Sequence, residues 1–219
     1  MKERESLIAE VESEVRLTAS ALGFDRLDPA VRAALLAVPR HAFVPPGQRA
    51  LAYADHPLPI GRGQTISQPY IVAIMSQLLR VGAGERVLEL GTGCGYQAAV
   101  LAAMGLDVYT IEIVQELAAG ARMRLAELGY DRVQVQTGDG WHGWPQAAPF
   151  DAIIVTAAAP RQPQPLLEQL KPGGRLVIPL GEPDSIQQLA VYMKGPSGQL
   201  AGQKVLPVRF VPVTGTLGG

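Results

Sequence analysis

Residues 88–96 read Leu-Glu-Leu-Gly-Thr-Gly-Cys-Gly-Tyr. Glycines at alternate positions, Gly91, Gly93 and Gly95, let the backbone turn tightly and let a ligand approach without a Cβ in the way. Set between an apolar strand and a helix, such a loop points to a nucleotide-like ligand, with Thr92 inside it as a further contact. A dinucleotide fingerprint places its last glycine one position later, where this chain has Tyr96, so that pattern fails. Glu89 stands two residues before the first glycine. Its charge would repel a pyrophosphate but suits a cationic ligand. S-adenosylmethionine, with its ammonium and sulfonium, has that charge. Glu112 follows Gly95 by 17 residues and ends the next strand, where an acid can accept both ribose hydroxyls of an adenosine. Asp139-Gly140 follows the strand after that. A short acid there can accept from an adenine amino group while the glycine backbone packs on the ring. Singly, Glu112 could be a solvated strand end and Asp139 a turn residue, since Thr-Gly-Asp-Gly is a good turn sequence. Their joint spacing at strand ends favours a site.

A second group lies upstream, Gln64-Thr65-Ile66-Ser67-Gln68-Pro69. Pro69 suits the first position of a helix, which puts Ser67 beside a helix N-terminus that favours an anion such as a carboxylate. The competing reading is that Ser67 or Gln68 caps the helix, and spacing alone leaves the two even. His41, His56 and His142 form no evident pair with a nucleophile, so Ser67 is not expected to act covalently. His41 follows a helix end and reads as structural. Trp141 and Trp144 read as packing residues beside the cofactor. The single Cys94 excludes an internal disulfide framework and a multi-cysteine zinc site, and no metal is expected.

These groups need a scaffold, and the chain is long enough for one: 219 residues, 47% hydrophobic and 18% charged, can build a large core. With 19 basic and 20 acidic residues, the net charge of −1 gives no support to nucleic-acid binding. No apolar run approaches the ~20 residues of a spanning helix, so no membrane partner is expected. The amino terminus alternates acids and bases where a signal peptide would be apolar, and a cytoplasmic location is the default expectation.

Residues 1–25 read as one helix with Leu7, Ile8, Val11, Val15 and Leu22 on its apolar face. Asp28-Pro29 opens a second, which Pro39 ends. Residues 45–70 hold enough proline and glycine to break any regular element, yet their apolar content argues for an ordered loop. A helix resumes after Pro69. From residue 85, strand and helix alternate: strands at 86–90, 107–113, 132–136, 151–156 and 175–179, with helices at 96–104, 114–128 and 165–170 between them. Two closing strands are expected at 189–194 and 205–213. The alternation implies an α/β fold with a mostly parallel, doubly wound sheet and helices on both faces. Ligands bind such sheets beyond the carboxyl ends of the strands.

The chain resembles the class I S-adenosylmethionine-dependent methyltransferases through VLELGTGCGY and, at 170–179, LKPGGRLVIP. More specifically, VPRHAFVP (38–45), LPIGRGQTISQPYIVA (58–73) and RFVPVTG (209–215) resemble the protein-L-isoaspartate O-methyltransferases, over residues 28–215. That resemblance implies a Rossmann-like methyltransferase sheet with an N-terminal helical extension, in one domain: residues 1–80 supply the helices and substrate loop, and 81–219 the cofactor sheet. It implies S-adenosylmethionine as cofactor, held by Glu89, Gly91, Thr92, Gly93, Gly95, Glu112, Asp139 and Gly140. It makes Ser67 the active-site residue, with Thr65 and Gln68 binding substrate. The partner would be isoaspartyl-containing proteins and peptides, methylated on the free α-carboxylate to start repair through a succinimide. The 45–70 loop and the 157–161 turn would form the peptide surface, and the enzyme would be a monomer. A methyltransferase of the same fold acting on a small molecule, and a non-catalytic adenosine-binding module, are the rival readings.

Overall fold

A computed structural model describes residues 2–182 and 185–216. Helix α1 (Lys2–Leu17) buries Leu7, Ile8, Val11 and Val15, the stripe expected from its spacing. It stops earlier than expected. The Thr18 hydroxyl bonds back to the Glu14 carbonyl at 2.8 Å, and a short α2 (Ala19–Leu22) follows, ended by Gly23 in the left-handed conformation. Helix α3 (Pro29–Ala37) begins as expected, with the Asp28 carboxylate accepting from the Ala30 amide at 2.8 Å.

The proline-rich stretch is more regular than its composition suggests. After two 3-10 turns (Arg40–Ala42 and Pro46–Leu51), strands β1 (Leu58–Gly61) and β2 (Gln64–Ile66) form an antiparallel hairpin. Arg62 and Gly63 both have positive φ, 55° and 72°, the pattern of a tight primed turn. Pro59 is tolerated because a two-stranded ribbon leaves one side of each strand unpaired. Helix α4 (Pro69–Leu78) follows, buried on most of its surface.

The remaining elements are β3 (Arg86–Leu90), α5 (Tyr96–Ala103), β4 (Asp107–Glu112), α6 (Gln115–Glu127), β5 (Gln134–Thr137), β6 (Phe150–Val155), α7 (Gln164–Glu168), β7 (Leu170–Leu180), β8 (Gln187–Lys194) and β9 (Leu200–Val208). They form a seven-stranded sheet in the order β5-β4-β3-β6-β7-β8-β9. The pairings from β5 across to β7 are parallel, and β8 and β9 join antiparallel. The expected doubly wound architecture is therefore present. Alternate residues divide the sheet between two cores. Val87, Val108, Ile154 and Val177 pack with α1, α3, α4 and α5, whereas Leu88, Ile111, Ile153 and Leu176 pack with α7. The chain runs β3-β4-β5 to one side and returns to β6 on the other side of β3, so the switch point lies at the carboxyl end of β3.

Two expectations shift in register. Strand β7 starts at Leu170 and absorbs Lys171 to Gly174 through a bulge against Phe150 and Ala152. The last strand ends at Val208 instead of running to 213. Residues beyond it leave the sheet and bond to the end of β6, with the Ala158 amide donating to the Val211 carbonyl at 2.9 Å and the Val213 amide to the Ala158 carbonyl at 2.8 Å. No described helix is long and apolar enough to cross a membrane, and no group of metal-binding side chains is found among the described residues.

Candidate active site

A cavity opens at the carboxyl ends of β3 and β4, at the switch point. Its floor is the glycine loop. Gly91 has φ 94°, and a Cβ there would run into the Thr156 hydroxyl, which itself donates to the Gly91 carbonyl at 2.7 Å. Only glycine fits both the conformation and the space. Thr92 turns its hydroxyl to Thr110 of β4, at 2.6 Å.

The two glutamates at the strand ends differ. Glu112 is buried but satisfied: its Oε2 accepts from the Gly93 amide at 2.7 Å and its Oε1 from the Val114 amide at 2.9 Å. Each oxygen keeps a lone pair for one further donor, so the carboxylate is oriented in advance. Glu89 is fully buried, and neither of its oxygens has a hydrogen-bond partner among the described residues. Burial drives its pKa up to about 8; nearby Thr110 pulls the other way, and the Glu112 carboxylate adds to the rise. A buried carboxyl without partners is costly unless something pairs with it. It borders the cavity, and its ionised form would attract a cationic ligand there.

Of the other residues expected at the cofactor, Gly93 and Gly140 line the cavity. Gly95 and Asp139 do not. Gly95 packs against α6, where a Cβ would crowd Leu125. Asp139 is bonded within the protein: its Oδ2 accepts from the Thr216 amide and hydroxyl at 2.9 and 2.7 Å, and its Oδ1 from the Trp141 amide at 2.9 Å, which leaves Oδ1 one further lone pair. Burial alone would raise its pKa, but the Thr216 and Trp141 donors outweigh it and hold the carboxyl below its ordinary range. Its evident structural duty is to pin the segment that follows β9. Neither tryptophan lines the cavity. Trp144 packs edge-on against Tyr109 at 5.3 Å, and Trp141 lies under the Arg161 guanidinium.

Thr65 and Ser67 line the same cavity from the hairpin side. They also line a second cavity, together with Gln68, Ile71, Phe210 and Glu14 of α1. Thr65, Ser67, Thr156 and Val211 border both. Ser67 is half-buried, at the junction of the two spaces. The capping question has a third answer. Neither Ser67 nor Gln68 caps α4; the Asp55 carboxylate does, accepting from the Tyr70 amide at 2.8 Å and from the Gln68 carboxamide at 3.0 Å. The Tyr70 amide at the helix start thus already holds an anion, and Ser67 is left to act through its hydroxyl.

Reading the sequence missed Thr156, Val211 to Thr214 and Asp55. Two signals could have found them: Thr156 directly follows β6, next to the central strand, and Val211 to Thr214 lie within the RFVPVTG run. Of the 157–161 turn, expected on the surface, Ala158 and Ala159 are buried by the segment crossing them and by β7, whereas Ala157 and Pro160 are partly exposed and Arg161 is exposed. The histidines stay apart from any nucleophile, with His41 bonded to the Tyr53 hydroxyl and His56 to the Pro57 carbonyl.

Comparison with known proteins bears on this geometry. Residues 21–218 match the sequence model of the family described as protein-L-isoaspartate(D-aspartate) O-methyltransferase, a wider span than the motifs alone suggest. Protein-L-isoaspartate O-methyltransferase 2 of Syntrophobacter fumaroxidans is 55% identical over 212 residues, covering 97% of this chain and 86% of that protein. The protein-L-isoaspartate O-methyltransferase of Gloeobacter violaceus is 59% identical over 185 residues, 84% of this chain and 90% of the relative. A solved protein-L-isoaspartate O-methyltransferase superposes with a TM-score of 0.85 at 29% identity, over 98% of this chain and 67% of its own. A Plasmodium falciparum structure, described as a complex with S-adenosyl-L-homocysteine, shares the fold with a TM-score of 0.73 at 24% identity, over 90% of this chain and 98% of its own.

Proposed function

We propose residue roles on one premise: the chain belongs to the protein-L-isoaspartate(D-aspartate) O-methyltransferase family. It is a methyltransferase that uses S-adenosylmethionine to methylate isoaspartyl residues of proteins and peptides. The observation that carries the residue assignment is Ser67 at the junction of two cavities, one walled by Glu89 and Glu112, the other running along α1, α4 and the segment after β9.

In the first cavity the residues fit the cofactor. Glu112 accepts the two ribose hydroxyls, and Glu89 faces the positive charge. Gly91, Thr92 and Gly93 let the adenosine lie against backbone, and Gly140 does the same beside Leu90, where a Cβ would clash. When bound, S-adenosylmethionine supplies an electrophilic methyl on a cationic sulfur. In the second cavity lies the isoaspartyl segment, with its α-carboxylate at Ser67 and Thr65 and with Gln68 at the start of α4.

The acceptor carboxylate, with a pKa of about 3.5–4, is already ionised at neutral pH, so no general base is needed. This agrees with histidines that pair with no nucleophile. Ser67 donates a hydrogen bond to one carboxylate oxygen and leaves the other directed at the first cavity. Holding reacting groups in line can account for roughly 7–11 kcal/mol of the barrier. The buried walls also exclude water from charges that the reaction neutralises. The protein acts as a cytoplasmic monomer, a reading supported by a near-neutral chain whose two cavities are both built within one copy.

Matched isoaspartyl and aspartyl peptides test the assignment: the first should accept a radiolabelled methyl group and the second should not. Equal labelling of both, or labelling of small carboxylates alone, would point to the small-molecule reading. Cofactor binding without any turnover would point to a binding module.

Glu89 makes cofactor binding depend on pH. With its pKa at about 8, the carboxyl is protonated at neutral pH, and a bound cation favours its ionised form. Affinity should therefore rise with pH up to about 8 and level off above it, with a proton released on binding below that point. Calorimetry in buffers of different ionisation enthalpy reads that proton directly. Glu89→Gln should abolish the release and flatten the profile. A buffer-independent heat in the unsubstituted protein would contradict the role.

A further inference from the structure

Arg40 is fully buried, yet its Nε and Nη1 have no hydrogen-bond partner among the described residues. Its Nη2 donates to the His56 carbonyl at 3.3 Å. The guanidinium carbon lies 5.0 Å from the centre of the Tyr96 ring, and Phe43 meets the same ring edge-on at 5.4 Å. Tyr96 opens α5 directly after the glycine loop and forms part of the cofactor cavity wall. Burial lowers the Arg40 pKa; Tyr96, Cys94 and Asp55 are close enough to oppose that effect. Asp55 in turn holds the Tyr70 amide and the Gln68 carboxamide, next to Ser67. Arg40 therefore touches the cofactor side through the Tyr96 ring and the acceptor side through the carbonyl of His56, the residue directly after Asp55. An apolar side chain of similar length could fill this space without the desolvation cost, and exchanging a buried charge for packed apolar groups is often neutral or stabilising. The charge thus serves something other than packing.

We propose that Arg40 is a positioning residue, which registers Tyr96 of the cofactor loop against the Asp55-anchored start of α4 and so aligns the acceptor oxygen with the transferable methyl. The inference rests on the roles given above to Ser67 and the glycine loop. A residue that sets alignment between two half-sites acts on kcat more than on either binding step.

The experiment compares Arg40→Met and Arg40→Lys in the full chain, with kcat, both KM values and the thermal midpoint measured on an isoaspartyl peptide. Arg40→Met should lose about 10-fold or more in kcat, with both KM values within about threefold and no fall in the midpoint. Arg40→Lys should recover most of the rate, because an ammonium also sits favourably on an aromatic face. A purely structural role would lower the midpoint and leave kcat unchanged, or give Lys the same loss as Met, and either result overturns the proposal. Should Arg40→Met not fold, Tyr96→Leu takes its place: kcat should fall by about 10-fold or more with the peptide KM within about threefold, and an unchanged kcat in Tyr96→Leu overturns the proposal. Failure of the unsubstituted protein to methylate the peptide would strike the Ser67 assignment; normal turnover with unaffected variants strikes only Arg40.

Discussion

Ser67→Ala should slow methyl transfer to an isoaspartyl peptide by about 100-fold, the scale at which a modest misplacement of reacting groups costs rate. Cofactor affinity should stay within about twofold, since Ser67 touches the cofactor cavity only at its border with the second one. The fold should be indifferent. Ser67 is half-buried, and the Tyr70 amide at the start of α4 is held by Asp55, so no helix cap is lost. Single-turnover rates with saturating cofactor separate this from a binding defect. A variant that transfers methyl at the full rate would remove Ser67 from the mechanism.

Glu112→Ala should weaken cofactor binding by at least about 100-fold. Hydrogen bonds to a charged group contribute roughly 1.5–3 kcal/mol each, and two ribose hydroxyls would lose their acceptor. Part of the loss arises within the protein, because the Gly93 and Val114 amides lose their acceptor too and the glycine loop loses its tie to the end of β4. Glu112→Gln separates the two effects. It retains one acceptor oxygen but turns an NH2 toward a backbone amide, so an intermediate affinity is expected. Equilibrium titration with S-adenosylhomocysteine gives all three values. Undiminished affinity in Glu112→Ala would mean that the ribose is held elsewhere.

The parts of the site that could be read from sequence are those fixed by short-range periodicity. Glu89 and Glu112 sit at the ends of strands whose apolar runs announce them, and the glycine loop follows its strand directly. The mostly parallel sheet with helices on both faces follows from βα alternation, since parallel neighbours need crossover connections. What could not be read depends on partners far apart in the chain. The strand end before Asp139 suggests an adenine acceptor; that its carboxylate also binds Thr216, 77 residues away, is something no local pattern reveals. The cap of α4 comes from Asp55, which no local pattern assigns to it. The hairpin at 58–66 was hidden by its prolines, which mark a chain as irregular in composition but are compatible with a ribbon two strands wide. The first helix breaks at Thr18 through a hydroxyl that bonds back along its own chain, a choice that apolar spacing does not reveal.

The segment after β9 contributes Val211 to Thr214 to the cavity that Ser67 enters from the hairpin side. These walls come from stretches far apart in the chain and are synthesised at different times. At ribosomal speeds the interval between Ser67 and Val211 is on the order of ten seconds or more. During that time the glycine loop and both glutamates already exist, but the cavity lacks a side. A nascent or prematurely terminated chain ending before Val211 therefore carries most of the cofactor-binding groups without an enclosed place for transfer. A cavity closed on this side therefore requires the chain through Thr214.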